Sequence, residues 1–473
     1  MTMEQQPRLP LWFLIANWAL IAAAFAIGIT LGGSNKSEFP MPQRRALDLV
    51  YDEIMRNHVE KQDGQELLDR AISAMAGKLD EYSQYIPPSR VAQYEEMSTG
   101  RYEGVGLLQV MYGEDLVVQF PFEGGPADRA GVMPGDRILA VDGTAVASLP
   151  LATRSEQARN LVRGPADSDV KLRLGRGDQE VELLVHRGSV QRSSVKWAHL
   201  ADPTAGLGYI YVADFHRGVA DELLAAIERL QAQSLQAQTA LRGLILDLRF
   251  NPGGNLDDCV TMARTFQPTG TIVSTRRRNE VLESHEAKRE LCKFPDLPLV
   301  VLVNENSASA AEVFAGCLQD HHRAALVGTR TYGKGVVNTV YTWKDLPFRL
   351  KLTTAHYFTP SGRNIEGHSL ANSKNATENG HATPDPEKQG GILPDAVVKT
   401  TKEQQQALLL GLDAFELPTK HRAAFQALVD KYKAVVPAPP QPDTDPQLQK
   451  ALEVLRERVA APPAKPADPA KDR

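Results

Sequence analysis

Hydrophobic positions along this chain follow four different patterns in turn. From Leu11 to Leu31 ("LWFLIANWALIAAAFAIGITL") they run on without a charge. At about 1.5 Å of helical rise per residue, that run is long enough to cross the hydrocarbon core of a bilayer, which predicts a membrane segment. Between residues 44 and 98 apolar side chains recur every three or four positions (Leu47, Val50, Ile54, then Leu67, Leu68, Ile72, Met75, Leu79), which predicts helices interrupted at Pro87 and Pro88. Segment 100–188 switches to short runs punctuated by glycine, "GLLQVMY", "DLVVQF" and "DRILAVDG", which predict a small β domain. From Leu207 strands and helices alternate: "LGYIYV", a helix over 219–232, "LRGLILDL", a helix over 256–266, "PLVVLV" and a helix over 310–319. Such alternation predicts a layered βαβ core. Residues 434–473 are proline-rich around one helical stretch, 447–459, and predict a flexible tail.

Composition narrows the class. Of 473 residues, 42% are hydrophobic and 23% charged, ordinary for globular domains, and the length allows two or three cores. A formal net charge of −5 provides no electrostatic basis for binding nucleic acid. Cys259, Cys292 and Cys317 are too few for a disulfide framework and lack the spacing of a zinc site, so they read as buried thiols, with a 259/292 bridge as the lesser alternative. Arg8 precedes the apolar run, while Lys36, Arg44 and Arg45 follow it, so charge alone does not orient it. "AFA" at 24–26 offers a signal-peptidase alternative with a mature start at Ile27. Apolar "IGITL" after it favours an uncleaved anchor. Either reading puts the rest of the chain outside the cytoplasm.

Within "GGPADRAGVMPGDRILAVDGTAV" (124–146) a short helix should run from Pro126 to Ala130 and stop at Gly131 in a left-handed conformation, and Asp142-Gly143 should turn a hairpin. This stretch resembles a PDZ domain. The resemblance implies that Gly104, Val105, Gly106 and Leu107 in "YEGVGLL" form the loop that binds a terminal carboxylate, and that a peptide adds as a strand after Gly106.

"VNENSASAAEVFAG" (303–316) places Ser307 and Ser309 at a strand-to-helix junction. Serine there is usually a cap. A nucleophilic serine needs a base. His321 and His322 lie more than three helical turns on, about 18 Å away, too far to serve. Lys334 lies between two glycines in "TRTYGKGVVN", where close backbone approach can turn it inward, although an exposed lysine on a glycine loop is the plainer reading.

"SASAAE" (307–312), "YGKG" (332–335), "LILDLRFNPGG" (244–254), "KLTTAHYFTPSGRNIEG" (351–367) and "GILPD" (391–395) together resemble the carboxyl-terminal processing proteases, serine endopeptidases with a Ser-Lys dyad and an embedded PDZ domain. The resemblance spans roughly residues 40–400. It implies Ser309 as nucleophile, Lys334 as general base, Ser307 as support or cap, and Glu312 near the active site. The oxyanion would be held by the Ala310 N–H at the helix start and by Gly253 or Gly254. The sequence departs from the family at Ala311, where serine is frequent, and at Asn338, where a glutamine helps position the lysine; asparagine carries the same amide on a shorter arm. Residues 368–390 are a polar insertion, expected to be a surface loop.

The resulting expectation is a mixed α/β protein: a stub (1–10), a transmembrane anchor (11–31), a helical region (42–98), a PDZ barrel (100–188), a crotonase-like Ser-Lys protease core (189–400), a helical region (401–433) and a Pro/Ala-rich tail (434–473). It would sit in a bacterial inner membrane with its catalytic part in the periplasm and cut proteins with accessible C-termini, without metal or cofactor and without nucleic acid. An adaptor or a homo-oligomer is the candidate regulator. The alternative is a noncatalytic peptide-binding scaffold on the same fold.

Overall fold

The computed structural model describes residues 40–278, 280–367, 390–413, 421–432 and 439–461. The expected anchor at 11–31 and nearly all of the 368–390 insertion lie outside them, and none of the described helices is long and apolar enough to cross a membrane. The chain divides into two compact units, Met1–Ile72 and Ser73–Arg473.

In the first unit, helix Met41–Asn57 leaves Leu47, Leu49 and Val50 exposed, and helix Gly64–Gly77 begins there. The second unit opens with a feature that the helical pattern does not predict: Gln84–Ile86 is a strand, paired antiparallel with Leu346–Phe358. Pro88 then starts helix Pro88–Thr99 rather than ending one, because a first-turn residue needs no N–H.

The PDZ part holds strands Leu107–Tyr112, Asp115–Pro121, Arg137–Val141, Asp169–Arg176 and Gln179–His186 in one sheet, with helix Arg154–Val162 beside it. The short helix Pro126–Arg129 and Gly131 at φ 86° fall where the sequence predicts them, and Asp142-Gly143, both at positive φ, turn the hairpin. Strands Arg101–Gly104 and Gly188–Gln191 pair with each other and carry this part to and from the core.

The core sheet runs Val195–Asp202, Leu207–Val212, Gly243–Asp247, Leu299–Val303, Ala324–Gly328, Ala396–Val397, and is parallel after the first pair. Its central strands are buried along their whole length and largely apolar, because both faces are covered. Leu244, Leu246, Leu299, Val301 and Val303 pack with helices Val219–Gln236, Leu256–Arg264 and Ala310–Asp320. Ile245, Val300 and Leu302 pack on the other side with Leu448, Ala451, Leu452 and Leu455. Those last residues belong to helix Pro446–Ala460, so the region expected as a flexible tail contributes one wall of the core. The buried Arg249 guanidinium fixes this helix at its N-terminus, pairing with Asp247 at 2.6 Å and with the capping Asp445 at 2.7 Å. Helix Arg422–Tyr432 instead docks on the PDZ part: Phe425 and Leu428 bury against Val117, and Tyr432 stacks on Tyr112.

Candidate active site

The site forms where the parallel strands end and the following loops turn into helices. After strand Leu299–Val303 the chain makes a tight turn held by Ser307, whose buried hydroxyl donates to Leu248 O at 2.7 Å and accepts from Asn304 N at 2.9 Å. Ser309 follows at the N-cap of helix Ala310–Asp320 with φ 57° and ψ −118°. Side chains other than glycine rarely adopt this backbone conformation, and such strain persists where the surroundings impose it. The constraint comes from Asn251 O, which accepts from Ala308 N, and from Gly253. A Cβ on Gly253 would lie 2.8 Å from both Ser309 Cβ and Ala310 N, so only glycine allows the "NPGG" loop to lie against the serine. The Gly253 N–H is committed to Asn251 Oδ1 at 2.8 Å. The Ala310 N–H, at the first helical position, has no acceptor within its helix.

Lys334 reaches the same place from a separate loop. Tyr332 N donates to Ser307 O, and the fully buried Glu312 joins the two segments. Its Oε1 accepts from Thr331 Oγ1 at 2.6 Å and Gly333 N at 2.7 Å; its Oε2 accepts from both Ser309 N and Lys334 N at 2.8 Å. One carboxylate oxygen thus lies between the backbones of the serine and the lysine. Burial pushes the Glu312 carboxyl up to about 7, against the pull of its four donors. Burial also lowers the Lys334 ammonium below the usual lysine range, and nearby Lys351 adds like-charge repulsion, while Glu312, Glu366 and Glu81 oppose the shift. Lys334 Nζ lies over the Tyr82 ring, 5.0 Å from its centre, and makes no hydrogen bond to Ser309 Oγ.

Asn338 takes a different partner from the one its position suggests. It sits beside a bulge in strand Val336–Trp343, and its amide donates to Thr353 Oγ1 at 3.1 Å, which in turn donates to Asp80 at 3.0 Å. It makes no hydrogen bond to Lys334. His321 Nε2 lies 2.7 Å from Thr271 O. All three cysteines are free thiols: Cys259 and Cys317 are buried and Cys292 is partly so. Sequence reading missed Asn251, although the "NPGG" motif contains it, and Tyr82, for which no local signal exists.

In the PDZ part, Val105, Gly106 and Leu107 line a cleft of about 650 Å³ together with Phe120, Phe122 and Arg159. Gly106 has φ 72° and its carbonyl accepts from Phe122 N. Gly104 is apart from the cleft lining, paired with Gly188 in the two-stranded tether.

Residues 206–373 match peptidase family S41, and residues 123–176 match the PDZ domain. A carboxy-terminal-processing protease of Bartonella bacilliformis is 30% identical over 470 residues, covering 97% of this chain and 98% of that one. The chain belongs to peptidase family S41. A probable CtpA-like serine protease of Staphylococcus haemolyticus is 32% identical over 363 residues, covering 76% of this chain and 70% of that protein. Among solved structures, the photosystem II D1 C-terminal processing protease shares 28% identity, covering 76% of this chain and 94% of that one, with a TM-score of 0.41. This S41 chain is a serine peptidase of the carboxy-terminal-processing group, and it carries a PDZ domain.

Proposed function

We propose that this S41 peptidase cuts protein substrates internally through an acyl-enzyme formed on Ser309, with Lys334 as general base. The observation that carries the reading is the shared Glu312 oxygen, at 2.8 Å from both Ser309 N and Lys334 N. It supports a serine and a lysine held in fixed relation by a buried carboxylate. Burial that depresses the Lys334 pKa favours the neutral amine, the form a base must have. In the reaction Lys334 leaves the Tyr82 ring and takes the Ser309 proton as Oγ attacks the scissile carbonyl. The tetrahedral oxyanion accepts from the Ala310 N–H and from Gly254, since the Gly253 amide is already engaged. Lys334 returns the proton to the leaving amine, and water then releases the acyl group by the same steps in reverse.

The PDZ cleft would take the free C-terminus of a substrate, its carboxylate on the Gly106 loop, and so deliver or license the chain for cleavage. Asn338 would act only indirectly, by steadying the strand that follows Lys334. Residues 11–31 would anchor the enzyme with its peptidase part in the periplasm.

The test is labelling with a serine-reactive fluorophosphonate followed by mass spectrometry. Ser309 should carry the adduct, and Ser309→Ala and Lys334→Ala should each abolish cleavage of an unfolded protein. The double variant should be scarcely worse than either single one, because the two act as a unit. Substantial turnover by Ser309→Ala would refute the assignment.

A further inference from the structure

One buried polar cluster outside the site has no part in the chemistry above. Asp214 and His216 flank Phe215 in "ADFHRG", just after strand Leu207–Val212. Both are almost fully buried, and His216 Nδ1 lies 2.9 Å from Asp214 Oδ1. The same carboxylate oxygen accepts from the fully buried Ser194 hydroxyl at 2.6 Å, and Arg192 Nη2 lies 3.5 Å from the other oxygen. A buried ionic group with this many partners resists displacement, because moving it would expose each partner to an unsatisfied state.

On one side this cluster holds the core end of both strands that carry the PDZ domain. Arg192 directly follows strand Gly188–Gln191, and its N–H donates to Gly100 O, the residue before strand Arg101–Gly104. Gly100, at φ 66°, lies close against the His216 ring: a Cβ there would meet Nδ1 at 2.2 Å. The outgoing segment is pinned further by Glu222, whose Oε2 accepts from Ser193 Oγ, Ser194 N and Val195 N. Ala213 N donates to Ser194 O, closing the contact between the two segments.

On the other side the cluster holds the "NPGG" loop through Phe215. Phe215 N donates to Gly253 O at 3.0 Å and Asn255 N donates to Phe215 O at 2.8 Å, so Phe215 brackets Gly254 as a parallel bridge. A Cβ on Gly254 would lie 2.4 Å from Phe215 O, so the approach is as close as backbone allows. The carbonyl of Gly253 and the N–H of Gly254 belong to one planar peptide and point in opposite directions. The Phe215 bond that fixes the carbonyl therefore fixes the Gly254 N–H on the side away from Phe215.

We infer that Asp214 and His216 are positioning residues for the Gly253–Gly254 peptide, and that they tie its orientation to the two strands bearing the PDZ domain. This rests on Gly254 serving as an oxyanion donor. A shift of the tether at Gly100 or Arg192 would reach the oxyanion peptide through Asp214, Phe215 and His216.

Steady-state kinetics on a short internally quenched peptide with blocked termini tests this in the full chain. Asp214→Asn keeps the shape and removes the charge. It should lower kcat about tenfold or more with KM within about twofold, since an oxyanion donor acts in the transition state. A peptide boronate, which forms a tetrahedral adduct, should lose affinity in parallel with kcat. Ser194→Ala, a smaller change at the same carboxylate, should move both quantities in the same direction and decides the matter if Asp214→Asn does not fold. Wild-type kcat and boronate affinity in the folded variants would overturn the inference, as would a rise in KM at constant kcat. Ser309→Ala run alongside separates the two readings: an active Ser309→Ala enzyme refutes the nucleophile, whereas an inactive one beside a fully active Asp214→Asn enzyme refutes only the positioning role.

Discussion

Replacing Glu312 by alanine would test how this site is held together. The carboxylate is fully buried and accepts four hydrogen bonds, from Thr331 Oγ1, Gly333 N, Ser309 N and Lys334 N, at 2.6–2.8 Å. Alanine leaves those donors facing a small cavity. Each buried donor without a partner costs about 1–3 kcal/mol, less where water enters, so a total loss of about 3–5 kcal/mol is expected in urea denaturation. The catalytic loss should exceed what instability explains. The serine turn and the lysine loop would drift apart, and a displacement of about 1 Å is enough for roughly a hundredfold fall in kcat. Glu312→Gln should lose less stability than Glu312→Ala, because it fills the space and its amide oxygen still accepts from one of the two pairs of donors. The pH dependence has a definite sign. Burial raises the carboxyl from its ordinary value near 4.5 to about 7, so the folded state holds this proton more tightly than the unfolded chain does. The stability contributed by this proton is fully present below about pH 4.5 and is lost as pH rises through about 7. The advantage of the native protein over Glu312→Ala should shrink across that window. A Glu312→Ala enzyme with kcat within about twofold of native would show that neither segment needs this carboxylate.

Three further outcomes follow from the same geometry. Activity should be low in acid and rise as Lys334 loses its proton, and Lys351→Met, which removes the neighbouring like charge, should move that limb to higher pH; a limb that stays in place would separate Lys351 from the base. Asn338→Ala should keep kcat within about threefold of native and cost only about 0.5–1.5 kcal/mol in thermal or chemical unfolding, because its amide bonds to Thr353; a large fall in kcat alone would restore it to the lysine. Leu455→Ala, fully buried under the core sheet, should cost about 2–5 kcal/mol, whereas a free tail would show no change in unfolding midpoint.

Local chemistry made much of this protein readable in its sequence. The apolar runs Leu244–Leu246 and Leu299–Val303 follow from burial on both faces, which any segment at the centre of a layered sheet must satisfy. The Gly131 helix stop, the Asp142-Gly143 turn and the Ser-to-helix junction at 309 are likewise local, since each depends on what one or two residues can adopt. Tertiary structure decided what a chain pattern does not carry. Strand Gln84–Ile86 is too short to show a period and exists because Leu346–Phe358 offers it an edge. Helix Pro446–Ala460 reads as tail because proline surrounds it, yet Arg249, 196 residues earlier, supplies the charge that docks its cap. The partners of Asn338 and Lys334 come from segments distant in sequence, Thr353 and Tyr82, so the spacing that singled out both residues says nothing of where their side chains go. Identity of the reactive groups is thus a property of short motifs. Their mutual geometry depends on one buried carboxylate, Glu312, and on the loops that folding brings around it.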